Sequence, residues 1–80
     1  MKLVLTIVPP DEADRLVGRL IEHEFRVTRI NSAGGFLKKG SATLVVGVED
    51  EFLEDVIALI RQGGRHASVF VLNVARFERL

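Results

Sequence analysis

The residues best suited to chemistry stand in one run, "NSAGGFLKKGS" at residues 31–41. Closing a tight turn needs one or two glycines and no hydrophobes, whereas this run holds three glycines and the pair Phe36-Leu37. Free amides in a Gly-Gly segment can form a nest for an anion, and Lys38 and Lys39 add positive charge. Phe36 and Leu37 could close over a flat aromatic ring. Amides and cations for phosphate, with apolar side chains for a base, are what a nucleotide site requires. The run is not a Walker A loop, because the G-x-x-x-x-G-K-[ST] spacing is missing and it leads into a strand pattern instead of a helix. A mobile hairpin loop with solvated lysines would carry the same residues, so chemistry alone leaves both readings open.

Catalysis finds no comparable constellation. His23 ends the first helical segment and His66 sits in a turn, and neither has companions at metal-ligand spacing. The carboxylates gather in first helical turns, where the macrodipole accounts for them. No serine or threonine stands in a G-x-S-x-G setting. The absence of cysteine excludes a disulfide framework and a thiolate metal site, and it suits a reducing compartment. The chain reads as a binding protein and not an enzyme, with neither cofactor nor metal. A net charge of zero and the lack of Tyr and Trp speak against nucleic acid as a partner.

The neutral total conceals segregation. Residues 25–48 carry Arg26, Arg29, Lys38 and Lys39 without an acid, and residues 61–80 carry Arg61, Arg65, Arg76 and Arg79 against Glu78. Such a distribution suits an anion site on the basic side, although helix-start preferences of the acids alone would also produce it.

These residues need a frame. Lys2–Val8, "KLVLTIV", is a nearly continuous apolar run and reads as a central strand buried on both faces. Pro9 and Pro10 end it and open a helix, whose stripe is Ala13, Leu16, Val17, Leu20 and Ile21. Residues 25–31 alternate as a second strand, with Arg26 and Thr28 on one face. Residues 41–49 form a third, with Ala42, Leu44, Val46 and Val48 on one side and Thr43, Val45 and Gly47 on the other. Asp50 is expected to cap a second helix with the stripe Leu53, Val56, Ile57 and Ile60, closed by a left-handed Gly63-Gly64. Residues 67–74 make the fourth strand. The order β-α-β-β-α-β predicts a ferredoxin-like α+β domain, an antiparallel four-stranded sheet with both helices on one face, over residues 1–80 as a single unit.

A chain of 80 residues buries only about 60–65% of its unfolded surface, and 48% of these residues are hydrophobic. Oligomerisation is therefore expected, through a helix-free sheet face assigned here to Val45, Val69 and Val71. The opening residues lack the pattern of a signal peptide, and no apolar run approaches the ~18 residues of a membrane span. Cytoplasmic location without membrane insertion is the expectation.

The text of the central segment carries more. "FRVTRINSAGGFLKKGSATLVVGVED", residues 25–50, resembles the signature of the PII-like cyclic-di-AMP receptor family: F-R-V-T-K/R, then G-G-F-L, a short loop, and a strand ending in G-V-E-D. The opening "MKLVLTIV" and the late "SVFVLNVARFE" resemble it too, so the likeness covers nearly the whole chain. It implies a homotrimer with its sheets facing inward and ligand in the clefts between subunits. By position, it implies that Arg26 and Thr28 touch phosphate and adenine, and that Gly35, Phe36 and Leu37 line the pocket. It further implies that Gly47 admits the ring and that Phe70 packs against a base. The chain departs from the family at Ser41, where asparagine is usual, and at Arg79, where a ligand-binding glutamine is usual. It also crosses between the second helix and last strand by a short connection at 62–67, where better-known members carry a long loop.

The reading is thus a trimeric receptor for cyclic di-AMP, with Lys38 and Lys39 as a phosphate field, ordering of residues 31–41 as the signal, and a downstream protein to sense it. Alternatives are a PII-like sensor of ATP, ADP or AMP, and a ligand-free trimeric scaffold for a partner protein.

Overall fold

The computed structural model describes residues 1–31, 41–64 and 66–80. The chain forms β1 (Lys2–Val8), α1 (Pro10–Glu22), β2 (Val27–Asn31), β3 (Ala42–Val48), a single 3-10 turn (Asp50–Phe52), α2 (Leu53–Gly63) and β4 (Ser68–Asn73). The strands make one antiparallel sheet in the order β2-β3-β1-β4. This is the ferredoxin-like α+β arrangement expected from the sequence.

Strand alternation divides the sheet into two chemically different faces. Val4, Thr6 and Val8 of β1 lie opposite Val46, Leu44 and Ala42 of β3, and all six are buried. Leu16 and Leu20 of α1 and Val56, Leu59 and Ile60 of α2 close over this side. Each such aliphatic side chain contributes about 1.5–3 kcal/mol by leaving water. The other face presents Leu3, Leu5 and Ile7 of β1, paired with Gly47, Val45 and Thr43 of β3 and with Leu72, Phe70 and Ser68 of β4. Here Leu3, Leu5, Ile7 and Val45 are only half-buried. Within one chain β1 is thus buried on one face, not on both.

Several local expectations change. Val45 does lie on the helix-free face, but Val69 and Val71 pair with Thr6 and Val4 and so belong to the helix side. The helix-free members of β4 are Ser68, Phe70 and Leu72. Ile21, read into the apolar stripe of α1, is 58% exposed. Asp50 provides no side-chain cap, and Glu49 stands at the head of the 3-10 turn. Asp50 instead meets the Met1 ammonium at 2.9 Å. A hydrogen bond from that ammonium, and then the charges of Met1 and Lys2, hold its carboxyl below the ordinary range.

The pair Gly63-Gly64 is explained by packing instead of by a left-handed turn, since Gly64 is extended at φ −119° and ψ 123°. A Cβ on Gly63 would stand 2.6 Å from Leu16 Cδ2 and 3.2 Å from Arg19 Cδ. Glycine lets α2 approach α1 at this crossing, and beside it Arg19 donates to Gln62 Oε1 at 2.7 Å. Among the described residues, no helix is long and apolar enough to cross a membrane.

Candidate functional site

The site is built at the end of the sheet where β2 begins and β3 ends. Helix α1 stops at His23, and Glu24 takes a left-handed φ of 66°. That turn redirects the chain: the Glu24 amide donates to the Ile21 carbonyl at 2.9 Å and the Phe25 amide to Leu20 at 2.9 Å. Phe25 then packs inward, its ring edge-to-face with Phe52 at a centroid distance of 6.4 Å. Arg26 follows, exposed, one residue ahead of β2.

A cleft of about 360 Å³ opens here, with Arg26, Gly47, Glu24, Glu49 and Phe52 in its lining. A second hollow of about 460 Å³ adjoins it along the α1–α2 seam and shares His23, Phe25 and Phe52. The first cleft holds one guanidinium beside two carboxylates, over an aromatic wall. Such a lining can take a flat ring against Phe52 while Arg26 meets an anion. Among the described residues no His/Cys/Asp/Glu group could hold a metal ion.

Thr28 lies in β2 opposite Val45 and is exposed on the helix-free face. Gly47 lies opposite Leu3, and a Cβ there would touch only Met1 Cε, at 3.7 Å. No neighbouring strand forces the glycine, so close strand packing is not its reason. Ser41, half-exposed, immediately precedes β3 at the other end of the sheet, six residues or about 20 Å from Gly47 along the strand.

Phe70 is 53% exposed on the same helix-free face as Thr28, but on the other outer strand. Two strands intervene, which puts Thr28 and Phe70 about 14 Å apart at ordinary strand spacing. A single chain therefore does not bring them together. Arg79 is exposed in the segment after β4, which leaves the sheet at the end where Asn73 pairs with Lys2. Lys2 also pairs with Val48, so this is the end that carries Arg26 and Gly47. Arg29, counted above in the basic segment, points to the helix side and pairs with Asp14. Gly35, Phe36, Leu37, Lys38 and Lys39 lie outside the described residues.

Sequence reasoning passed over Phe52, although Val56 and Leu59 follow it at i+4 and i+7 and extend the apolar stripe of α2 back to it. That spacing is the available signal. It also gave His23 and Glu24 no place, because a positive φ on glutamate has no sequence mark.

A family model described as "Cyclic-di-AMP receptor" matches residues 1–78. Among solved structures, the chain is similar to a crystal structure described as a functionally unknown protein from Pediococcus pentosaceus ATCC 25745. The two are 30% identical and superpose with a TM-score of 0.86, over 99% of this chain and 96% of that one. The sequence match spans both strand edges, the cleft and the segment after β4, and on that extent the chain belongs to the cyclic-di-AMP receptor family.

Proposed function

We propose that this protein is a signal receptor that binds cyclic di-AMP in clefts between the subunits of a homotrimer, with ordering of residues 31–41 as its output. Family membership supports the ligand. The observation that carries the assembly is the split of the candidate residues: Arg26, Thr28 and Gly47 lie toward one outer edge of the helix-free face, and Phe70 at the other. When the apolar faces of neighbouring copies meet, the β2 edge of one chain can be completed by the β4 edge of the next.

In this reading Arg26 meets a phosphate and Thr28 the adenine, while Gly47 leaves room for the ring. Phe70 of a neighbouring copy packs on a base, and Arg79 supplies a second cation. Ser41 offers a hydroxyl to the adenine end of the site. Gly35, Phe36 and Leu37 would cover the ligand, and Lys38 and Lys39 would add to the phosphate field. A bound dinucleotide would fix this loop, and an ordered loop is a surface that a downstream protein can distinguish from a free one.

Isothermal titration tests the proposal, with cyclic di-AMP against cyclic di-GMP, ATP and AMP. Saturable heat for cyclic di-AMP alone, at micromolar affinity or tighter, about −8 kcal/mol, is the expected result. Heat with ATP or AMP and none with cyclic di-AMP would reassign the site to another adenine nucleotide. Silence with all four would overturn the receptor reading in favour of a protein-binding scaffold.

A further inference from the structure

Strand β4 is exposed along its whole length on both sides. The assembly proposed above would cover only one of them, the side of Phe70 and Leu72. On the helix side Val69 remains 38% and Val71 43% exposed, because α2 does not extend over this edge. A hollow of about 240 Å³ lies there, lined by Ile57, Ile60, Arg61, Gly64, Ala67 and Val69. Its side chains are aliphatic except for the Arg61 guanidinium, with polar backbone at its rim. A cavity of about 150 Å³ already admits a benzene ring, so this hollow has room for a phenyl side chain.

The same chain displays such a group without a place for it. In residues 74–80 only Val74 is partly buried, and Phe77 is 61% exposed. Glu78 follows it, paired at the surface with Arg76 at 2.9 Å. An exposed pair of that kind contributes little and is readily exchanged for Arg61.

We propose that the helix-side hollow of β4 receives residues 76–78 of a second copy, with Phe77 in the hollow and Glu78 against Arg61. The donor is a neighbour because its own chain falls short. The Val74 amide donates to the Met1 carbonyl, which carries the ladder past the end of β4. Five residues separate Val74 from Val69, about 17 Å along the strand. Phe77 is three residues further on, so its Cα reaches at most about 11 Å back from Val74; even with roughly 5 Å more for the phenyl group it stops short of a hollow that extends from Val69 back to Ala67 and Gly64. The contact rests on the multimeric reading given above, and it joins that interface around the edge of β4.

The absence of cysteine makes a cross-linking test direct. Chains carrying Arg61→Cys and Glu78→Cys, both at exposed positions, are unfolded, mixed and refolded together so that they share assemblies, then treated with a short thiol-to-thiol cross-linker, and light scattering is recorded on the same samples. The expected result is a covalent dimer in the mixture, reduced at least about tenfold when Phe77→Ala is added to the Glu78→Cys chain, as loss of one buried phenyl group requires. Multimers that give no cross-link, or a yield indifferent to Phe77→Ala, would overturn this contact and leave the assembly standing. Monomers by light scattering would overturn the assembly, and this contact with it.

Discussion

Arg26 stands one residue ahead of β2, exposed, in a cleft that also receives the carboxylates of Glu24 and Glu49. It is the one arginine or lysine of that lining among the described residues. If Arg26 is lost, a phosphate entering the cleft meets the two carboxylates without a guanidinium to offset them. A charge-assisted hydrogen bond contributes about 1.5–3 kcal/mol, so Arg26→Ala is expected to weaken cyclic di-AMP binding about 10- to 100-fold in titration. Arg26→Lys should fall between the two, since it keeps the charge and loses the fork geometry. An unchanged affinity in the alanine variant of a chain that does bind would remove Arg26 from the site. Gly47 gives an independent test, because an added Cβ makes only an ordinary 3.7 Å contact with Met1 Cε. Gly47→Ala should therefore leave the melting temperature close to that of the parent. If a ligand ring approaches this backbone, the same change should weaken its binding about tenfold or more, about 1.4 kcal/mol. Equal affinity for both chains would show that nothing approaches Gly47.

At the scale of the element, two helical glycines separate propensity from packing. Gly18 lies in the exposed part of α1, and an added Cβ there would have nothing within 4 Å, whereas Gly63 ends α2 with Leu16 Cδ2 at 2.6 Å from the same position. Gly18→Ala is expected to stabilise the fold by about 0.5–1 kcal/mol, the ordinary helix gain. Gly63→Val should destabilise it by about 1–3 kcal/mol, because Leu16 is fully buried and cannot withdraw without strain. In an 80-residue chain each kcal/mol moves the melting temperature by about 4–8 °C, so calorimetry resolves both. A destabilised Gly18→Ala, or an unaffected Gly63→Val, would contradict the packing described. The element order is legible in the sequence because its signals are local: the proline start of α1, the period of Leu16 and Leu20, and the alternation from Ala42 to Val48. Features set by long-range pairing are less so. Val69 and Val71 fall on the face opposite to the one expected because β4 is apolar at every position from Val69 to Leu72, and register with β1 decides what alternation cannot. Gly63 reads as a turn former because its constraint comes from another helix. The residues proposed for the site are picked out by the text of residues 26–47. Their separation across the sheet is not, since it follows from strand order.

Among the described residues, helices cover one face of the sheet and none covers the other. Leu5, Phe70 and Leu72 meet across β1 and β4 on the helix-free side, with Val45 beside Leu5 on β3. Phe70 is 53% and Leu72 45% exposed, and Ile30 adds a further 48% exposed side chain on β2. A contiguous apolar patch of this kind, on a small chain, is the usual mark of a protein–protein surface. None of these positions carries a charged side chain, so a carboxylate placed there would be desolvated by any close neighbour. Burying an unpaired charge is far more costly than the loss of one apolar side chain. Leu72→Glu, at a position with no part in the proposed ligand site, is expected to leave the chain folded, because it is 45% exposed within one copy. It should convert an assembly near three times 8.9 kDa into single chains by light scattering. Cyclic di-AMP titrated into the same variant then separates two arrangements. If the ligand bridges chains, binding should fall with the assembly, and excess ligand should drive part of the protein back into multimers by mass action. If the variant binds with parental affinity as a monomer, the ligand is held within one chain, and the cleft of Arg26 and Gly47 is complete without a neighbour.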